Sequence, residues 1–132
     1  MDPAIAEREA DLALIEPFWP NYSEAWALSW QEGLDFIQGN QHPEVPLDME
    51  SCNRNYAKDF AEEIVVDLSS VAPAGDWQVP VGGWDVEGDG STFTPSGRVY
   101  VMTVESDVYG VLELHLAIID GRAYSFWSCT DA

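Results

Sequence analysis

Residues 111–129 read VLELHLAIIDGRAYSFWSC, and this stretch decides the fold. Apolar and polar side chains alternate on both sides of Asp120-Gly121, which is typical of two half-buried strands joined by a hairpin. Both central residues of a type I′ turn need positive φ, and Asp-Gly meets that need. The turn therefore predicts a fixed register, with Ile119 opposite Arg122.

This register divides the side chains of the hairpin between two faces of the sheet. The face that we predict to be the core face carries Leu112, Leu114, Leu116, Ile118, Ala123, Ser125, Trp127 and Cys129. The outer face carries Glu113, His115, Ala117, Ile119, Arg122, Tyr124 and Phe126.

The sequence before the hairpin changes character at Pro73-Ala74-Gly75-Asp76. Before this point, apolar residues recur at helical spacing and predict helices over residues 3–16, 21–37 and about 48–68. After it, short apolar stretches predict strands over about 77–86, 98–105, 109–119 and 122–129. Helices followed by a strand meander predict an α+β fold, with three N-terminal helices packed on one face of a four-stranded antiparallel sheet.

We expect a single domain over residues 1–132. Its parts are an N-terminal helix with a proline-bounded corner (1–20), helices (21–72) and the strand meander (77–130). The helical stripes and the core face of the hairpin predict the residues that line the interior, which are Trp26, Trp30, Tyr56, Phe60, Leu114 and Trp127. Gly33 lies on one stripe, where it either admits a close neighbour or is an exposed glycine.

The chain has two cysteines, and both are assigned to the same buried layer. Cys52 lies on the apolar stripe of the third predicted helix, and Cys129 lies on the core face of the last strand. We predict a disulfide between them, with two buried free thiols as the alternative. Since a disulfide persists in oxidising compartments, it favours an extracellular or cell-envelope protein with a leader outside this sequence. Free thiols favour the cytoplasm.

The charge of the chain restricts its partners. In 132 residues, 24 acidic side chains face five basic ones, which gives a formal net charge of −19. Such a field repels phosphate backbones and anionic lipids, so binding to nucleic acid is disfavoured. No apolar run reaches the length of a membrane span. Solubility, halotolerance or a basic protein partner remain as explanations of the charge, and an apolar small molecule remains as a ligand.

Few residue patterns here indicate chemistry. Asp85, Glu87 and Asp89-Gly90 imitate a calcium loop, but its twelfth position is Ser96, so we interpret the segment as a solvated turn. The His and Cys residues lack the spacing of a zinc site. His115 beside Glu113 is the one grouping with acid/base potential, and an interface role for His115 is favoured. We therefore predict no catalytic residue, no metal and no cofactor.

The outer face of the hairpin gathers apolar side chains that solvent does not favour. We predict a partner-binding or homodimer face formed by His115, Ile119, Tyr124 and Phe126. The alternative is that another part of this chain, such as the first helix, covers them.

Several short motifs carry a family resemblance. They are Phe18-Trp19-Pro20-Asn21-Tyr22, Trp26, Trp30, Gly33, Pro43 to Pro46, Cys52, Asp120-Gly121-Arg122-Ala123-Tyr124 and Ser128-Cys129. They are similar to envelope-exported actinobacterial proteins of unassigned role, and the order of elements resembles the nuclear-transport-factor-2-like superfamily. This resemblance implies a cone with a curved sheet, whose outer face often forms a homodimer. Enzymes of that superfamily place an Asp or His in the cone, whereas the inward hairpin positions here are apolar.

Three hypotheses for function follow. The first is a non-catalytic exported or envelope domain that binds a protein partner or an apolar small ligand in an aromatic-lined cone. The second is an acidic immunity or inhibitor protein that neutralises a basic toxin or enzyme. The third is a small-molecule isomerase or hydratase of the same fold.

Overall fold

The computed structural model describes residues 3–45, 58–59, 61–62, 64–80, 92–106 and 110–126. Three helices come first: α1 (Pro3–Ile15), α2 (Phe18–Leu28) and α3 (Trp30–Gly39). The strands are β1 (Val65–Pro73), β2 (Val79–Pro80), β3 (Thr92–Phe93), β4 (Arg98–Ser106), β5 (Gly110–Ile119) and β6 (Arg122–Ser125). The predicted α+β class is confirmed, and the three helices pack on a four-stranded antiparallel sheet of order β1-β4-β5-β6.

The β5–β6 hairpin has the predicted register. Ile119 pairs with Arg122, and Leu116 pairs with Ser125. Asp120 has φ 50° and Gly121 has φ 77°, as a type I′ turn requires. Because the register holds, Leu116 points into the core and is fully buried.

The core lies between the helices and this inner face of the sheet. It contains Ile15, Phe18, Trp19, Tyr22, Trp26, Ile37, Ala61, Val71, Tyr100, Met102, Val104, Leu116, Ile118 and Ala123. The aromatic rings of α2 and α3 meet edge to face, with centroids 5.0 Å apart for Phe18 and Trp19 and 5.3 Å apart for Phe18 and Phe36. The indole N–H of Trp19 donates to the sulfur of Met102 over 3.2 Å and so joins α2 to β4.

The predicted single helix over 21–37 is wrong, because the chain breaks at Ser29. Ser29 is extended (φ −171°, ψ 164°), and its side-chain oxygen caps α3 by accepting the N–H of Glu32 over 3.1 Å. The new helix turns Trp30 outward. Trp30 is 41% exposed, so its prediction as an interior residue is also wrong.

Gly33 has a close neighbour, which is one of the two alternatives that the sequence left open. A Cβ at this position would overlap the indole ring of Trp26. Trp26 is buried, as predicted.

The end of the third predicted helix is also wrong. Residues 58–59 and 61–62 are helical, but Val65–Pro73 form β1, so the helical part does not continue to residue 72. The β-branched residues Ile64, Val65 and Val66 favour a strand, and β4 supplies its hydrogen-bonding partner. In the strand predicted over 77–86, Val79–Pro80 form β2, which pairs with β3 in a separate two-stranded sheet.

Candidate functional site

An apolar groove lies between α2 and the edge strand β1. It is lined by Glu16, Trp19, Pro20, Ser23, Ile64, Val66 and Leu68 and has a volume of about 160 Å³. A cavity of about 150 Å³ accommodates a benzene ring. The groove therefore matches one large apolar side chain in size.

The two walls follow from how the sequence folds locally. On α2, the ring of Trp19 is buried, while Pro20 and Ser23 lie one turn apart beside it. On β1, Val66 is half-buried, and Leu68 is 43% exposed. Among the described residues, β1 pairs with β4 alone, so the other backbone edge of β1 is unpaired there.

The backbone at the edge of β1 is partly occupied by its own side chains. Pairing with β4 is irregular between Asp67 and Ala72, and in this bulge the hydroxyl oxygen of Ser70 accepts the N–H of Thr103 over 2.8 Å. The carboxylate of Asp67 accepts the N–H of Ser69 over 3.0 Å. A bulge and a charged side chain disfavour the pairing of another strand with β1. A molecule that binds in the groove would therefore contact its side chains rather than the backbone of β1.

The rim of the groove is acidic. Glu16 is part of the lining, and Glu24 lies one turn beyond Pro20 on α2. Asp67 lies between Val66 and Leu68 in sequence, so its side chain points to the opposite face of the sheet and is not part of the rim. Both rim carboxylates are exposed, and no Lys or Arg of the described residues lines the groove.

The basic side chains of the described residues already have partners within the chain. Arg8 donates to the carbonyl of Val71, and Lys58 pairs with Glu62. Arg122 donates to the carbonyl of Gly39. Among the described residues, no Lys or Arg is therefore left to pair with the acidic rim.

A second polar cluster lies between α1 and the sheet. Asp11 is only 1% exposed, and its carboxylate accepts two hydrogen bonds from Arg98, of 2.8 and 2.7 Å, and one of 2.6 Å from the hydroxyl of Tyr100. Glu7 lies 3.3 Å from the same guanidinium. These bonds fasten α1 to the start of β4.

This cluster is not built for proton transfer at neutral pH. Hydrogen bonds from Arg98 hold the pKa of Asp11 below its usual value, against the opposing effect of burial. Burial, together with the bond to Asp11, raises the pKa of Tyr100 to about 12. Asp11 is thus held as the carboxylate and is a weak base. Tyr100 keeps its proton and is a weak acid.

This cluster was not predicted, although the positions of its residues in α1 and β4 indicate it. Asp11 precedes Ile15 by one helical turn and so lies on the buried side of α1. Arg98 has the same strand parity as Tyr100 and Met102, which point to the core. An acidic and a basic residue at these two positions indicate an ion pair, in which Asp11 is buried and Arg98 is partly exposed.

The predicted partner face is covered by this chain. The ring of His115 stacks on Trp77, with centroids 3.8 Å apart, and Phe126 contacts both Trp77 and His42 at 4.9 Å. Ile119 and Tyr124 are half-buried on the same face. His115 and Phe126 are therefore not free for a second copy of the chain, and the covering residues are Trp77 and His42 and not the first helix.

His42 joins three segments on this side of the sheet. Its Nδ1 accepts the N–H of Glu44 over 3.1 Å, so the proton lies on Nε2, which is 3.0 Å from the carbonyl of Ser96. The backbone N–H of His42 donates to the carbonyl of Ser125 over 2.8 Å. This bond places the segment at His42 beside β6, at the edge of the sheet. Glu44 accepts the N–H of Ser96, and this bond lowers the pKa of its carboxyl.

The remaining predicted residues have these outcomes. Leu114 is half-buried and packs against the core, as predicted. Tyr56, Phe60, Trp127 and both cysteines, Cys52 and Cys129, lie outside the described residues, as does the 85–90 segment. Within the described ranges, no group of three or more His, Cys, Asp or Glu residues is arranged to hold a metal, and no helix there is long and apolar enough to cross a bilayer.

Comparison of the chain with protein-family models, with curated proteins and with solved structures gave no match.

Proposed function

We propose that this chain is a non-catalytic domain that binds a protein partner through the groove between α2 and β1. The observation that carries the proposal is an apolar groove that the described residues leave open to solvent, of a size that accepts one large side chain. Leu68 is 43% exposed there and adds apolar surface at its mouth.

The described interior favours this function over a ligand held in a cone and over an isomerase or hydratase. The aromatic rings of α2 pack against Met102 and Leu116, which are almost fully buried, so the described part of the helix–sheet layer is filled by side chains. The polar cluster at Asp11 is internally satisfied, which gives no support to an isomerase or hydratase. A location outside the cytoplasm is part of the proposal and depends on the disulfide.

A random-peptide library displayed on phage tests the groove directly. We expect selected peptides to bind wild type and to lose about tenfold or more in affinity for Ser23→Phe, whose ring fills the groove. Leu68→Asp should have the same effect. The matched control is Leu28→Asp, because Leu28 is 69% exposed on α2 and does not line the groove.

Circular dichroism and melting curves would establish that each variant is folded. Selected peptides that bind wild type and Ser23→Phe equally would contradict the proposal. So would a library that yields no binder while a long-chain fatty acid binds in the groove.

A further inference from the structure

We infer that the partner presents a basic segment with one large apolar side chain, and that this side chain enters the groove while flanking cations face its acidic rim. The inference rests on the proposed function and adds the chemistry of the partner. It follows from the coincidence of the apolar lining with the exposed carboxylates of Glu16 and Glu24 on the α2 side of the groove.

The basic side chains of the described residues are already paired within the chain. Arg98 is held by Asp11 and Glu7, while Lys58 is held by Glu62. With a formal net charge of −19, the molecule attracts cationic partners and repels anionic ones. A basic segment therefore gains charge attraction at the rim that a neutral or acidic segment does not gain.

The edge of β1 and the size of the groove limit how the segment docks. Since the bulge and Asp67 disfavour strand addition at β1, the partner gains affinity from an inserted side chain and from charge. The volume of about 160 Å³ suits a Phe or Leu side chain. Charge then accelerates and orients the encounter, and the apolar anchor slows dissociation.

Three capped synthetic peptides separate these contributions. The first is Lys-Arg-Lys-Phe-Lys-Arg-Lys, the second has Ala in place of Phe, and the third keeps Phe between neutral flanks, Ser-Gly-Ser-Phe-Ser-Gly-Ser. Their affinities are measured by calorimetry at an ionic strength of about 0.15 M, where charges separated by more than about 8 Å are screened. We expect the first peptide to bind about tenfold more tightly than either of the others.

Two sets of variants locate the binding. Ser23→Phe should reduce the affinity of the first peptide to that of the Ala peptide. Glu16→Gln combined with Glu24→Gln should weaken the first peptide roughly threefold and leave the neutral peptide unchanged. The charge-matched control is Glu113→Gln with Asp120→Asn, which removes two exposed carboxylates away from the groove.

The outcomes distinguish this inference from the proposed function. If the neutral Phe peptide binds the groove as tightly as the basic one, the inference is overturned and the function stands. If the basic Ala peptide binds as tightly as the Phe peptide and Ser23→Phe has no effect, charge alone acts and the apolar anchor is overturned. If none of the three peptides binds and the phage library yields no groove binder, the proposed function fails as well.

Discussion

Gly33 is the residue whose identity most directly controls the packing of α2 on α3. A Cβ at Gly33 would overlap the indole of Trp26, which is buried and bordered by Tyr22 and Trp30. We predict that Gly33→Ala destabilises the protein by about 1–3 kcal/mol, through overpacking. The control is Gly39→Ala, because an added Cβ there meets no atom within 4 Å.

Urea denaturation measures both variants. Gly39→Ala should stay within about 0.5 kcal/mol of wild type or be slightly more stable, since alanine favours a helix. Equal effects of the two substitutions would contradict the close approach of Trp26 to Gly33.

The ion pair between Asp11 and Arg98 predicts that Arg98→Met reverses the pH dependence of the protein's stability. In wild type the pKa of Asp11 is lowered, so its stabilising contribution is present above the usual carboxyl value near 4 and is lost as the pH falls through the lower folded value. In Arg98→Met, burial raises the pKa of Asp11 beside Glu7. The unpaired carboxylate then destabilises the variant as the pH rises above about 4.

Urea denaturation between about pH 3 and pH 7 follows this reversal. We expect Arg98→Met to lose about 2 kcal/mol at neutral pH and to approach wild type in acid. Arg122→Met is the control, because it removes the same charge from an exposed residue that pairs with no buried carboxylate. Parallel pH profiles for wild type and Arg98→Met would contradict the assignment.

Single residues were predictable where local geometry decides their conformation. Asp120 and Gly121 could be assigned because a two-residue turn between alternating strands leaves few conformations. The exposure of Trp30 could not be predicted, because it depends on the helix break at Ser29 and the apolar spacing continues across that break.

Among the elements, the covering of the outer sheet face by Trp77 has a measurable consequence. Burial lowers the pKa of His115, with a smaller opposing effect from Glu113. Unfolding lets this imidazole take up a proton more easily, so its contribution to stability is lost as the pH falls below the usual value of about 6.5. We predict that Trp77→Ala raises the pKa of His115 toward that value, because the indole no longer shields the ring.

An NMR titration of the imidazole ring signals measures this change. Trp30→Ala is the control, since Trp30 packs against Trp26 on the helical side. An unchanged pKa in Trp77→Ala would show that other groups bury His115.

At the scale of elements, sequence patterns resolved the hairpin better than β1. The strict alternation in β5 and β6 has one interpretation, and their register was correct. Ile64, Val65 and Leu68 fit the helical stripe that we predicted, whereas Ile64, Val66 and Leu68 fit one face of a strand. The strand forms because β4 offers it a hydrogen-bonding edge. Since β4 is distant in sequence, local periodicity did not contain that information.

For the whole molecule, the groove was not predictable for the same reason. One of its walls is α2, and the other is a strand that the sequence patterns assigned to a helix. The acidic sign of the groove's rim was predictable, because 24 acidic and five basic residues leave few places for a positive surface.

The covalent state of the cysteines is a prediction at the scale of the molecule. We predict a disulfide between Cys52 and Cys129, and therefore expect no titratable thiol in the denatured, unreduced protein and two after reduction. Reduction should then cost about 4 kcal/mol of stability, by releasing a long loop. Two thiols before reduction would contradict the disulfide and remove the argument for an extracellular or envelope location.

The measurement that tests the central proposal most directly is a two-dimensional ¹H–¹⁵N spectrum of the labelled protein, recorded as Lys-Arg-Lys-Phe-Lys-Arg-Lys is added. The account predicts that the largest shift changes occur at Ser23, Val66 and Leu68, and that they disappear in Ser23→Phe. Largest changes around Ile119 and Tyr124, or changes spread evenly over the acidic surface, would contradict a partner site in the groove.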